Sequence, residues 1–299
     1  MRFRHADAVR RDHPGLTAGA LYATGVDATA DVGPSVAEYT SRALDRLAGG
    51  TESGFPEVLA WRRAFARMGL RPTQYRCASE SLLRRLRKEG SLPRIHPVVD
   101  LCNAVSAAYA IPVAALDADR IAGPLLEVRH ARGDERYTTF GGGIEHPAPG
   151  EVIFADSAGR SHARRWTNRQ SGHSAVGEHT GRILVVVEAL HDGGAEAVPE
   201  LLKTLAQELA AHWPTDPTPA GPTPAGSTPT GPTRADATTA GPTRADVTTT
   251  AGPTRADATT AAATTARAPA AGPAMAVLTA TAPEFLFPDP VPAGERQPG

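Results

Sequence analysis

The chain has 299 residues, 41% hydrophobic and 21% charged, with a net charge of −1 at pH 7. A charge so near zero excludes bulk attraction to nucleic acid, so any RNA contact has to come from a local cluster. The start, Met1-Arg-Phe-Arg-His-Ala-Asp7, lacks the apolar run of a signal peptide, and no stretch approaches the ~18 apolar residues of a membrane span. The expectation is a cytoplasmic protein with no membrane partner.

In chain order, Leu16 to Val26 reads as a strand. Pro34 and Ser35 open an amphipathic helix that stops at Gly49-Gly50. A second helix runs from about Pro56 to Met68, with Val58, Leu59, Ala64, Phe65 and Met68 apolar, and ends at Gly69. A third starts at Ser79 as N-cap, carries Glu80 near its positive end and closes with Arg84, Arg85, Arg87 and Lys88 before Gly90. Those cations suit the helix dipole better than a phosphate site. The helix from Pro97 to Tyr109 buries Val98, Leu101, Cys102, Val105, Ala108 and Tyr109 at the 3.6 period. Asp100, Asn103 and Ser106 lie three apart on a polar flank, suited equally to a cleft and to solvent or a neighbouring loop.

Beyond Pro112 the pattern turns to strands. Leu125 to Ala131, Tyr137 to Phe140, Glu151 to Asp156, Ser161 to Trp166 and Arg182 to Leu190 are short, rich in β-branched or aromatic residues and separated by Gly or Pro. They predict a predominantly antiparallel or mixed sheet. Gly141-Gly142-Gly143 has no Lys-Ser/Thr and no helix behind it, so it reads as a tight strand connection rather than a phosphate cradle. A helix from Ala195 to Trp213, with Leu201, Leu202, Leu205, Leu209 and Trp213 on one face, closes an α+β domain over 1–213.

From Pro214 onward the chain turns to Pro, Thr, Ala and Gly, and a unit of about ten residues recurs around Arg234, Arg244 and Arg255. Such a composition buries too little apolar surface to offset chain entropy. The expectation is a disordered tail over 214–299, dispensable for folding. Ala282-Pro-Glu-Phe-Leu-Phe-Pro288 is the one plausible docking motif within it.

Between two strand-like runs lies Arg165-Trp-Thr-Asn-Arg-Gln-Ser-Gly-His-Ser-Ala-Val-Gly-Glu-His-Thr180. A loop with this many donors cannot satisfy them by burial, which leaves them available to a ligand. Arg165 and Arg169 suit a phosphate or carboxylate. Trp166 is either a stacking surface for a base or an ordinary core ring. No His-Glu-x-x-His, Gly-x-Ser-x-Gly, Walker loop or dinucleotide fingerprint occurs, and no catalytic residue, metal or cofactor is assigned. His130, His146, His162, His173, His179 and His191 are scattered, and Glu145, Asp156 and Glu178 sit where carboxylates cap turns. Cys77 and Cys102 have no Cys-x-x-Cys partner and read as small core residues.

Three stretches carry a resemblance when taken in order. Pro97-Val-Val-Asp-Leu-Cys-Asn-Ala-Val-Ser106, then Ile111-Pro-Val-Ala-Ala-Leu-Asp-Ala-Asp-Arg-Ile-Ala-Gly123, then the strand-rich segment to Thr180 resemble the B3/B4 domain of the bacterial phenylalanyl-tRNA synthetase β subunit. Tyr75-Arg-Cys-Ala-Ser-Glu-Ser-Leu-Leu-Arg-Arg85 and Arg164-Arg-Trp-Thr-Asn-Arg-Gln170 are closer to freestanding B3/B4 proteins. The resemblance covers about 56 to 190. It implies a three-layer α+β fold with a mixed sheet and flanking helices and, in the synthetase, an editing pocket that hydrolyses tRNA charged with tyrosine in place of phenylalanine. Asn103 matches an Asn of the synthetase helix, and Thr180 a Thr that precedes the last strand and reads as structural. Two places depart. Ala114 stands where the synthetase domains carry a His, and the Arg169-Gln-Ser-Gly-His173 region stands where they carry a Gly-Gly-Glu turn.

Two functional readings follow. One is an RNA- or aminoacyl-tRNA-associated protein, in its enzymatic version a trans-acting deacylase clearing mischarged tRNA. Arg165, Asn168, Arg169 and His173 then contact the 3′ end or the ester, with Asn103 and Ser106 as the opposite wall. The other is a non-catalytic module that binds an amino acid, a small metabolite or a protein partner, which the replaced His and Glu favour. The expected substrate-binding set is Asn103, Ser106, Arg165, Trp166, Asn168, Arg169 and His173, and the expected RNA contacts come from Arg84, Arg85, Arg164, Arg165 and Arg169.

Overall fold

The computed structural model describes residues 1–214, 273–279 and 282–287; the repeats around Arg234, Arg244 and Arg255 lie outside them. In chain order the elements are β1 (Arg2–His5), α1 (Asp7–Asp12), β2 (Thr17–Thr24), α2 (Gly33–Ala48), α3 (Pro56–Arg67), α4 (Ala78–Glu89) and α5 (Pro97–Tyr109). Strands β3 (Val113–Asp117), β4 (Leu125–His130), β5 (Arg136–Thr138), β6 (Ile144–Glu145), β7 (Val152–Asp156), β8 (Arg160–Arg164), β9 (Arg169–Gln170) and β10 (Arg182–Ala189) follow. Helix α6 (Gly194–His212) precedes β11 (Ala274–Leu278) and β12 (Glu284–Leu286).

Capping decides where the helices begin. Helix α5 starts because His96 accepts the Val98 N–H on Nδ1 at 3.2 Å with Pro97 in the first turn, and it stops at Ala110 in the left-handed region. Helix α4 begins two residues earlier than the Ser79 cap predicts: Cys77 occupies the cap position without a side-chain bond, and Ser79 lies buried inside the first turn. Glu80 is also buried, and Arg62 meets its carboxylate at 2.5 Å.

Four strands form one sheet in the order β11-β2-β10-β3, and eight form a larger one in the order β12-β1-β4-β7-β8-β5-β6 with β9 paired to β8. The larger sheet is mixed, since β1 runs parallel to β4 and β5 parallel to β8 while the other pairs are antiparallel. Strand β10 sits centrally in the smaller sheet and is apolar on both faces, as a strand covered on both sides must be. Ile183, Val185 and Val187 pack with Leu101 and Val105 of α5 and Leu201 and Leu205 of α6. Leu184 and Val186 pack the opposite way, with Phe3, Leu126, Val128 and Phe154 of the larger sheet. This period-2 division makes three layers: helices, small sheet, large sheet. Gly19 has no side chain because a Cβ there would run into Leu202 of α6.

The tail expectation needs correction over 273–279 and 282–287. Strand β11 pairs antiparallel with β2, and β12 pairs antiparallel with β1, Phe285 lying opposite Phe3. Leu278, Phe285 and Phe287 are buried. The amino terminus donates to the Phe287 carbonyl at 2.8 Å, and the Phe287 N–H returns a bond to the Met1 carbonyl at 3.0 Å. The apolar residues here are few, but they fall on two open sheet edges whose backbone groups need partners. The described part of the Ala282–Pro288 motif, residues 282–287, thus docks within its own chain.

Truncation after Trp213 is accordingly expected to lower the thermal midpoint by at least about 5 °C, since ~1 kcal/mol corresponds to roughly 2–4 °C in a domain of this size. Phe285→Ala in the full chain should reproduce much of that loss, on the order of 3 kcal/mol for a buried ring. Equal midpoints by scanning calorimetry would show that the two strands contribute nothing.

Candidate functional site

A cavity of about 210 Å³ opens between the sheets. Its walls are Val113, Ala114 and Leu116 of β3, Val186 and Glu188 of β10, Phe154 and Ala163 of the large sheet, Ala78 of α4 and the run 166–170. Most of this lining is apolar. The run 166–170 comes from the segment singled out in the sequence, so that segment does reach a concave site.

Two consecutive non-glycine residues in the left-handed region, Arg165 with φ 46° and Trp166 with φ 57°, turn the chain into the cavity. Each such residue costs roughly 1–2 kcal/mol and persists only where its surroundings fix it. Here the Arg165 N–H donates to Glu151 Oε1 at 2.9 Å and the Trp166 N–H to the Val152 carbonyl at 2.7 Å. The turn sends Arg165 outward, its guanidinium 4.7 Å from the Tyr75 ring centroid. It sends Trp166 inward, where the indole is fully buried edge-on against Trp61 and His13. Trp166 is therefore a core ring and cannot stack on a base, which corrects one of its two readings.

Behind Trp166 lies a buried carboxylate. Glu188 is 2% exposed, and its Oε1 accepts from Trp166 Nε1 at 2.8 Å and from His5 Nε2 at 2.6 Å. His13 against the other side of the indole is held below its ordinary imidazole value, first by burial and then by the Arg67 charge. Neither His5 nor Glu188 was picked out from the sequence. Both left a trace there: Phe3 and His5 alternate in the first strand, and Glu188 interrupts a run of β-branched residues where a carboxylate has no structural reason to be.

The arginines of the segment are largely neutralised, against the expectation that their donors are left available to a ligand. Arg164 is buried and pairs with Glu145 at 2.6 Å and Glu151 at 2.9 Å. Burial opposes ionisation of Glu151, yet Arg164 and the Arg165 N–H outweigh it and hold the carboxyl below its usual value. Arg169, at the cavity rim, reaches Glu145 at 3.0 Å and lies over Tyr137. Arg84 pairs with Glu52 at 3.8 Å and Arg85 with Glu89 at 2.8 Å, so both are tied on the helix surface. Sheet pairing brings Glu145 and Glu151 beside Arg164 from distant sequence, which no local pattern reveals.

The other expected residues fall elsewhere. Asn168 lines the cavity and is fixed by its Nδ2 donating to the Arg76 carbonyl at 2.7 Å. His173 does not line it; the ring sits 3.2 Å from the Arg120 carbonyl and 3.3 Å from an Arg160 nitrogen, and burial, then Arg160 and His162, lower its pKa. The polar flank of α5 is not the opposite wall. Ser106 is fully buried and donates to the Ile111 carbonyl at 2.6 Å, while Asp100 accepts the Ile95 N–H at 2.7 Å. Asn103 is also absent from the lining. These residues sit on the helix that packs the far face of the small sheet, where Asp100 and Ser106 tie the loops at the two ends of α5. Thr180 is structural, donating to Asp117 Oδ2 at 2.9 Å.

Cys77 and Cys102 are buried free thiols pushed up by burial to about 11 and about 12. Among the described residues no group of three or more His, Cys, Asp or Glu is placed to hold a metal ion, and no helix is long and apolar enough to cross a membrane.

Trp166→Phe keeps the ring in the core but removes one donor from a buried carboxylate, a loss of about 1–3 kcal/mol. Urea unfolding is expected to show a lower midpoint at unchanged slope. A change below ~0.5 kcal/mol would mean that the bond contributes nothing to the fold.

A model of the B3/4 domain matches residues 60–195. The phenylalanine–tRNA ligase β subunit of Carboxydothermus hydrogenoformans is 39% identical over 72 residues, which is 24% of this chain and 9% of that one. This chain thus aligns with less than a tenth of that relative. An N-terminal fragment of the phenylalanyl-tRNA synthetase β subunit from Pyrococcus horikoshii is similar over 70% of this chain and 48% of its own, at 10% identity and a TM-score of 0.38. Residues 60–195 thus resemble a B3/4 domain, and the ligase relative supports a likeness to that of the phenylalanyl-tRNA synthetase β subunit.

Proposed function

We propose that the domain is associated with aminoacyl-tRNA and that its cavity receives the amino acid. The observation that carries this reading is the cavity itself. It lies within the B3/4 residues, it is small and mostly apolar as an amino-acid site requires, and its walls include Ala114 and Arg169. On this reading the ester lies at the rim beside Asn168 and Arg169, and Arg165 and Arg169 meet the 3′ end. The enzymatic version is a trans-acting deacylase that removes the amino acid from mischarged tRNA. A holder that binds without turnover has one observation in its favour: a methyl group, Ala114, stands on the wall where the synthetase domains resembled here carry a His, so no imidazole places a water from that side.

The test is to incubate the full chain with correctly and incorrectly charged tRNAs and to follow ester loss together with binding. Loss well above buffer for any one species supports the deacylase, and binding without loss supports the holder. Failure to bind or hydrolyse every species would sink the proposal. Arg169→Ala should weaken the response about tenfold, ~1.4 kcal/mol, while His173→Ala, outside the cavity, should leave it unchanged.

Arg84, Arg85 and Arg164 are paired elsewhere and Arg169 is shared with Glu145, so on this reading at most two arginines, Arg165 and a released Arg169, serve RNA beside the cavity. The slope of log affinity against log salt is then expected near about −1.4, two phosphates at ~0.7 each for a single strand. A slope steeper than roughly −3 would place the RNA on a different, more basic surface.

A further inference from the structure

The polar atoms that the cavity leaves free share one character. Glu188 spends Oε1 on His5 and Trp166, at 2.6 and 2.8 Å, while Oε2 has no hydrogen bond among the described residues, and Glu188 is one of the residues that line the cavity. Gln170 donates its Nε2 to the Ala115 carbonyl at 2.8 Å, and Asn168 its Nδ2 to the Arg76 carbonyl at 2.7 Å. Those bonds fix which end of each amide is nitrogen and leave both side-chain oxygens without a hydrogen bond. Thr167, also in the lining, has its Oγ1 shielded from solvent with no partner. What the site keeps for a ligand is therefore acceptors and one hydroxyl.

A carboxylate buried to this degree is costly unless a cation meets it. None of the described salt bridges joins Glu188 to an Arg or Lys; its neighbours on Oε1 are an indole N–H and an imidazole. The one cation in the lining, Arg169, is drawn to Glu145 at 3.0 Å and over Tyr137. His5 supplies a counter-charge only when protonated, so a permanent cation has a place beside Glu188, and its form follows from the oxygen count. A guanidinium fork needs both carboxylate oxygens, and Oε1 already takes two donors; an ammonium is a compact charge with three donors and is served by one oxygen plus neutral acceptors.

We propose that the cavity binds a primary ammonium group on an amino-acid-sized ligand, with Glu188 Oε2 as its acceptor. The inference rests on the reading of the cavity as the amino-acid site, and not on RNA contact or hydrolysis. The ammonium comes either from the α-amino group or from the end of a side chain.

Both sources are separable with small probes and the full chain by isothermal titration calorimetry. One pair is L-leucinamide against 4-methylpentanamide, which lacks the α-amino group; the other is 5-aminopentanamide against 5-hydroxypentanamide. The aminated member of one pair is expected to bind at least tenfold tighter than its neutral counterpart, and the pair that discriminates names the source. Glu188→Gln should bring that ratio to within about twofold, with its fold checked by thermal midpoint. Ala114→Phe, which fills the cavity from its wall, should abolish binding even if Glu188→Gln does not fold. Equal binding within both pairs, no binding by any probe, or amine binding that survives Ala114→Phe would each overturn the proposal. Amine selectivity in a protein that ignores every charged tRNA would instead retain this inference and reject the RNA reading.

Discussion

The structure depends on how one buried carboxylate is held. Glu188 sits near the end of a central strand that is otherwise apolar from Ile183 onward, and it is kept there by His5 from the first strand and Trp166 from a strained turn. Removing charge from water is expensive, so each donor has to be positioned by its own element. His5 is placed by β1, which the parallel pairing with β4 fixes in register, and Trp166 by the bonds from Val152 and Glu151 that hold its left-handed turn. Three parts of the chain that are remote in sequence are therefore committed to one atom. The cavity exists because these commitments leave a gap between the two sheets beside that atom.

Strain and electrostatics are coupled in the same turn. Arg165 and Trp166 adopt a conformation that side chains disfavour, and the cost is offset by Glu151, which bonds the Arg165 backbone while also holding the Arg164 guanidinium. One carboxylate thus supports both the bend and the charge beside it. The consequence for recognition is a division of labour across a short segment. Arg164 is structural, Trp166 is core, Asn168 and Gln170 spend their donors on backbone, and only Arg165 and Arg169 keep a charged face toward solvent.

Much of the fold was legible because burial imposes periodicity. Helix α5 was bounded as Pro97–Tyr109 from its apolar spacing, and β2, β4, β7 and β10 were placed to within a residue or two. The shortest elements were not, because β6 and β9 have two residues each and no period exists over that length. Strands β11 and β12 were missed for a different reason: composition averaged over a long low-complexity stretch hides a few aromatics that matter only because two sheet edges lie open. The candidate site divided in the same way. The segment from Arg165 was found through its donors, but its partners were sought on the flank of α5, where Ser106 and Asp100 in fact tie neighbouring backbone. Side-chain type shows that a group needs a partner, whereas only the fold shows which one it has.

The arrangement of charge around the cavity carries the functional argument one step further. A cation lies at the rim, Arg169 over Tyr137, with Arg165 outside the lining on Tyr75, while the interior presents Glu188. A rim of one sign over a floor of the other cannot suit a uniformly charged ligand, since one end would always be repelled. It suits a molecule that is anionic at the outer end and donates hydrogen bonds at the inner one, joined by a short apolar stem that the β3 and β10 side chains enclose. On the proposed reading an aminoacyl group on a phosphodiester chain has that polarity.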